Sequence, residues 1–314
     1  MTFIEGAEKV FSVCMQAKTT EDVLIVTDTD RQAIGRQLFD VAESLGLKAV
    51  LQIMKPTGRH GAEPPRLVAT SMQAADVVLC PTQYSLTHTE ARRSACEHGA
   101  RIATMPGVTE EMFLEGAIGA DYSEIARVSD ALADRLTAAE QVTIRYRDSE
   151  VSFSIANRTG VSSRGLYHEP GASGNLPTGE AYIAPVEGTA NGVVVFDGSA
   201  AGLGQLSGPL RVEIRDGIAV DFSGPDAEAL SRALGDGRDA RNIAELGIGT
   251  NPKARLSGSL LEDEKVFGTV HLAFGSNKTF GGLVDAGVHI DCVMLQPELL
   301  LDGQLLVSGG HLLV

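Results

Sequence analysis

The feature that most limits the fold is an alternation. Short β-branched runs are each followed by a stretch of helical periodicity, and the pair recurs through the first 138 residues. Residues 23–29 (VLIVTDT) predict a strand, and over 31–45 Ile34, Leu38, Val41 and Leu45 recur at helical spacing. The unit repeats as strand 47–54 with helix 65–74, strand 76–81 with helix 87–98, and strand 100–106 with helix 110–139. Strands joined through helices of this length imply right-handed crossovers and a parallel sheet. Ligands meet such sheets at the loops that follow the strands, here 28–31, 55–63, 82–89 and 105–109. None of these is a G-x-G-x-x-G or Walker loop, so no nucleotide site is indicated.

Past residue 138 the period changes to two. Residues 142–156 (VTIRYRDSEVSFSIA) alternate around Asp148 and Ser149, and 210–222 (LRVEIRDGIAVDF) around Asp216 and Gly217, a strong hairpin signal. A helix is predicted at 225–234 and further strands at 266–274, 287–295 and 299–307. The expected organisation is an α/β chain with an N-terminal parallel α/β domain over 1–138 and a β-rich domain over 139–314.

Charge narrows the partners. Asp and Glu outnumber Lys and Arg by 41 to 26, a net charge of −15, and a field of that sign repels phosphate backbones and anionic lipid. This predicts no nucleic acid partner. Apolar runs fall well short of the roughly 20 residues of a membrane span, which predicts no membrane partner either. Glu5 and Glu8 stand where a signal peptide would be uncharged, pointing to a cytoplasmic protein. Cys14, Cys80, Cys96 and Cys292 lack C-x-x-C spacing and read as reduced, packed thiols.

Residues able to carry chemistry concentrate in the β-rich half. His289 and Asp291 form an H-x-D on an otherwise apolar strand, where residues two apart project from one face and can hold one ion together. His271 sits in GTVHLAFG, either a satisfied core histidine or a ligand. Glu180 (NLPTGEAYIAP) and Glu245 (NIAELGIGTNP) lie between apolar neighbours, and each is either a strand-end carboxylate facing water or a cation ligand. Glu264 in LEDEK reads as part of a charged turn. His60 and His168 read as loop residues, and Ser199 in DGSAAGLG is no G-x-S-x-G elbow.

The series NLPTGE, AELGIG, DEKVFGTVHLAFG and VHID resembles the aminopeptidase T family of metallopeptidases, in order and spacing, from Glu180 to Asp291. The resemblance implies an α/β domain followed by a metal-bearing domain. It further implies that Glu180, Glu245, His271, His289 and Asp291 bind a pair of divalent ions, and that the chain is a homodimer. Two departures stand out. The family's peptidases carry a tyrosine seven residues beyond the first ligand histidine, where this chain has Lys278, and only 18 residues separate His271 from His289. A shorter branch, similar to 2,5-dihydroxypyridine 5,6-dioxygenase, keeps the H-x-D, uses one Fe(II), and places a histidine of the N-terminal domain near its substrate. His88 in TQYSLTHTEARR is the counterpart here.

The first expectation is therefore a metallohydrolase acting on an amide or peptide bond of a small molecule or short peptide, with Zn, Co or Mn as cofactor. Glu245 and His88 are its expected catalytic residues, and Arg92 its contact to a substrate carboxylate. The alternative is an Fe(II)-dependent ring-opening dioxygenase, in which His271, His289 and Asp291 form a two-His-one-carboxylate triad and the glutamates stand behind it. A third reading is a metal-containing binding protein without turnover.

Overall fold

The structure, a computed structural model, describes residues 1–313. Packing divides it into two units. One comprises Met1–Tyr122 with Gly165–Thr178, and the other comprises Ser123–Arg164 with the chain from Gly179 onward.

The first unit is built on a five-stranded parallel sheet in the order Lys48–Met54, Asp22–Asp28, Val77–Cys80, Arg101–Thr104, Ser173–Asn175. Strand and helix alternate as the sequence predicts, with helices at Gln32–Ser44, Arg66–Ala74 and Glu90–Glu97. Gly35 is where one helix meets the sheet, since a Cβ there would lie 2.7 Å from the Thr27 methyl. The fifth strand, Ser173–Asn175, has no apolar pattern to announce it. It is held by pairing to the edge strand and by Thr104, whose hydroxyl donates to Asn175 Oδ1 at 2.7 Å.

The second unit begins at Ser123, the second residue of the helix Tyr122–Ala138. Val128, Leu132, Ala133 and Leu136 of this helix pack in one core with Val142, Ile144, Val151 and Phe153. Helical periodicity reveals that a helix has an apolar face, but not which core receives it. The sequence groups this helix with the residues before it, whereas its buried face packs with the residues that follow.

Two antiparallel sheets complete this unit. The eight-stranded sheet runs Ile218–Ser223, Leu210–Arg215, Asn191–Phe196, Ser149–Ser154, Gln141–Tyr146, Glu298–Leu301, Gln304–Ser308, His311–Leu312. Both predicted hairpins are in it, and their turns use left-handed backbone at Arg147 (φ 55°), Asp216 (φ 48°) and Gly217 (φ 77°). The seven-stranded sheet runs Gly204–Gln205, Ser199–Ala200, His289–Met294, Val270–Gly275, Ile243–Gly249, Glu180–Ile183, Val161–Ser163. Apolar faces of the two sheets share the core, and Phe196 and Phe274 meet edge to face at 6.0 Å. Among the described residues no helix is long and apolar enough to cross a membrane.

Leu132 is fully buried in that core. Leu132→Ala should lower the stability of the second unit by about 2–5 kcal/mol, measured by denaturant unfolding, with the parallel sheet of the first unit unaffected in its own transition.

Candidate metal centre

Four adjacent strands of the seven-stranded sheet place the chemistry. On each, alternate residues enter the core: Ala181 and Ile183; Leu246 and Ile248; Val270, Leu272 and Phe274; Ile290, Cys292 and Met294. The residues between them project from the other face. Register then fixes the neighbours: Ala273 stands opposite both Glu245 and Asp291, His271 opposite Gly247, His289 opposite Gly275, and Glu180 opposite Gly249. Residues directly opposite across a sheet share a face, so Glu180, Glu245, His271, His289 and Asp291 all gather on this one. The small residues Gly247, Ala273, Gly275 and Gly249 stand opposite them.

Distances bear out the gathering. His271 Nε2 lies 3.5 Å from both Glu180 Oε2 and Glu245 Oε1. His289 Nε2 lies 3.4 Å from Glu245 Oε2 and 3.3 Å from Asp291 Oδ1. The other ring nitrogen of His289, Nδ1, meets the Ser276 carbonyl at 2.8 Å. A carbonyl only accepts, so Nδ1 carries a hydrogen, and Nε2 is the nitrogen that faces the cluster and can give up its proton to ligate. His271 is completely buried, and neither of its ring nitrogens has a hydrogen bond; Glu180 Oε2 lacks one as well.

Two further members escaped the sequence reading. Lys265 and Glu264, assigned above to a charged turn, are both buried, and the Lys265 ammonium contacts Glu180 Oε1 at 2.5 Å and the Glu264 carboxylate. A run of four charged residues, Glu262 to Lys265, is indistinguishable in sequence from a solvated turn, yet all four are buried. Gly247 is the third omission. A Cβ there would lie 2.0 Å from His271 Nε2, so the imidazole occupies the space a side chain would need.

Three sets of donors come within 4.8 Å of one another: Glu180, Glu245 and His271; Glu245, His289 and Asp291; and Glu264, His271 and Asp291. They overlap through Glu245, His271 and Asp291, which makes one continuous cluster. Four carboxylates face a single ammonium, and this imbalance sets the protonation. Burial works against a charged His271, but the Glu245 carboxylate 3.5 Å away and the charges of Glu180, Glu264 and Asp291 outweigh it and raise its pKa to about 9. His289 is raised well above its ordinary value against the same burial, chiefly by Asp291 and Glu245. Burial opposes ionised Asp291, but His289 above all, with His271 and Lys265, holds its carboxyl well below the usual range. Glu245 is lowered, burial again opposing, by the imidazoles of His271 and His289 that face its two oxygens. At Glu264 burial prevails over Lys265 and pushes the carboxyl up to about 7.

His88 and Arg92 belong to the first unit, and the cluster draws all its donors from the second. His88 is exposed, in the loop before the helix Glu90–Glu97. Arg92 donates from Nε to the Thr87 carbonyl at 2.8 Å and from Nη1 to Ser173 Oγ at 3.1 Å, tying that loop to the fifth strand. Lys278 is exposed and reaches toward Asp285 at 3.6 Å. Phe280, close by in the chain, instead stands edge-on to both Tyr182 (5.4 Å) and His289 (5.9 Å), an aromatic wall beside the cluster.

Gly247→Ala should force His271 from its seat. The expected result is a stability loss of about 1–3 kcal/mol, the usual range for overpacking, together with weakened Co(II) binding by equilibrium dialysis. An unchanged affinity would mean that His271 does not need this position.

Comparison with known proteins agrees with this architecture. The 2,5-dihydroxypyridine dioxygenase of Pseudomonas putida KT2440 superposes with a TM-score of 0.84 at 17% identity, covering 99% of this chain and 97% of that one. Wild-type AmpT of Thermus thermophilus superposes with a TM-score of 0.73 at 16% identity, covering 99% of each chain. These likenesses establish a shared fold, the mixed α/β architecture expected from the sequence. No protein of curated function matches the sequence. The family model described as NicX, 2,5-dihydroxypyridine 5,6-dioxygenase, matches residues 2–314, and the chain belongs to that family.

Proposed function

We propose that the protein opens a dihydroxylated pyridine-type ring with O2, using one Fe(II) held by His271, His289 and Asp291. The observation that carries this reading is the family model spanning residues 2–314. Local features support it. Nε2 of buried His271, the ring nitrogen that faces the carboxylates, lacks a hydrogen bond, as expected of a donor whose partner is an ion, and imidazole with carboxylate is the donor chemistry of non-haem iron. The aromatic wall of Phe280 and Tyr182 beside His289 suits a flat ring substrate.

Fe(II) bound there would supply the open positions at which ring and O2 meet. The remaining work falls to the chain. His289, anchored through Nδ1 by the Ser276 carbonyl, offers Nε2 in a fixed direction. Glu245, which contacts both imidazoles, would orient them and accept a proton from a ring hydroxyl. In the first unit His88 is a candidate second acid–base group. Arg92 is a candidate contact for a substrate carboxylate, with Nε and Nη1 already engaged.

One observation favours hydrolysis as a second reading. Glu245 belongs to two of the three donor sets, as a carboxylate bridging two ions would. A pair of Zn, Co or Mn ions would supply an activated water for cleavage of an amide or peptide bond, with Glu245 as its partner.

The two reactions separate under one assay. Metal-free protein loaded anaerobically with Fe(II) should consume O2 in proportion to the opening of 2,5-dihydroxypyridine, and Asp291→Ala should lose both iron and turnover with its circular dichroism intact. Cleavage of aminoacyl amides with Zn, Co or Mn, and no O2 uptake with iron, would overturn the first reading in favour of the second.

Metal uptake should also depend on pH in a defined direction. His271 titrates at about 9 in the metal-free protein, so below that pH an entering ion displaces its proton. Calorimetry in buffers of different ionisation enthalpy should register proton release at neutral pH, and apparent affinity should rise with pH as the raised His271 and His289 lose their protons. Affinity independent of pH across this range would mean that His271 is not displaced by the ion.

A further inference from the structure

Lys265 is a buried charge that neither reaction uses. Its side chain is 2% exposed, and its ammonium bridges Glu180 and Glu264. Its backbone is pinned as well, the amide donating to the Glu262 carbonyl at 3.0 Å and the carbonyl accepting from Asn251 at 2.9 Å. The head group is therefore a fixed positive charge at one end of the cluster. Of the three donor sets, the two that contain Glu180 or Glu264 each include a carboxylate already carrying Lys265. The set of Glu245, His289 and Asp291 contains neither.

A divalent ion in either of the first two sets would stand close to the ammonium where little water screens the repulsion. We infer that Lys265 is a built-in monovalent cation that takes the place of a second divalent ion, so that the centre accepts one ion, at the His289 and Asp291 end with His271 alongside. The inference rests on the metal-binding reading above, and a single ion accords with the ring-opening reaction and not with a hydrolysis that needs a pair. Lys265 acts through the carboxylates it holds, which makes it a positioning residue that sets how many ions bind.

The test is Co(II) stoichiometry on metal-free full-length protein, by equilibrium dialysis with metal analysis at saturating Co(II). Wild type and Lys265→Arg should each bind one ion per chain, and Lys265→Met should bind two. The double variant Glu180→Gln/Lys265→Met, which removes the carboxylate along with its ammonium, should return to one. Should Lys265→Met fold poorly without metal, refolding in Co(II) should recover it with two ions bound. Two ions on wild type, one ion on folded Lys265→Met, or failure of that variant to fold at every Co(II) concentration would each overturn the inference. Wild type binding no ion would overturn the metal reading itself. One ion bound without ring opening after loading with Fe(II) would overturn the dioxygenase assignment alone, leaving the role of Lys265 supported.

Discussion

Burying four carboxylates on one face of a sheet is the constraint around which the second unit is arranged. Glu180, Glu245, Glu264 and Asp291 are each less than a tenth exposed, and an ionised carboxylate out of water is unfavourable by several kcal/mol unless paired. Lys265 answers part of that demand with a permanent charge. The two imidazoles answer more of it in the metal-free protein, which is why both are drawn toward their protonated forms. An ion and these protons thus compete for the same negative field, and the chain leaves that choice open only where His271 and His289 stand.

The sheet makes this arrangement possible because its two faces are assigned to different tasks. Leu272, Phe274, Cys292 and Met294 lock one face into the core shared with the eight-stranded sheet, and a strand held so firmly cannot rotate the residues between them away from the cluster. Donors on rigid strands are placed more reliably than donors on loops. Small residues complete the design: Ala273 lies between Glu245 and Asp291, and Gly247 yields its side-chain space to the His271 ring. Were either of these large, the register would be unchanged but the donors could not converge.

Much of this is legible in the sequence wherever chemistry coincides with period. His289 and Asp291 stand two apart on an apolar strand, so their spacing indicates one face, whereas Glu180, Glu245 and His271 are joined to them in the sequence only by the family resemblance. The turn at Asp216 with Gly217 is readable for a similar reason, since it interrupts a clean alternation, while the turn expected at Asp148 and Ser149 falls one residue earlier, at Arg147 and Asp148. What stays hidden depends on tertiary partners. The helix Tyr122–Ala138 has an apolar stripe that fits any core, Ser173–Asn175 becomes a strand only through its neighbour, and nothing local to LEDEK separates a buried ion-pair network from a solvated turn. Gly247 is one of 35 glycines, and only the cross-strand partner His271 gives it meaning.

The same backbone accommodates a dioxygenase and AmpT at TM-scores of 0.84 and 0.73, so the fold leaves the chemistry undecided. Local charge and the residues beside the cluster are what can decide it. Two divalent ions ask for carboxylates with no other cation at hand, whereas here the Glu180 end is already bridged by Lys265. A peptidase of the aminopeptidase T type uses a tyrosine at the position of Lys278, and that lysine points to Asp285 at the surface while Phe280 faces His289. A phenyl edge contributes contact to a flat ring and cannot carry a proton. On the reading proposed above, proton transfer would fall to Glu245 rather than to Phe280, and a single ion beside the aromatic wall of Phe280 and Tyr182 would suit a flat hydroxylated ring.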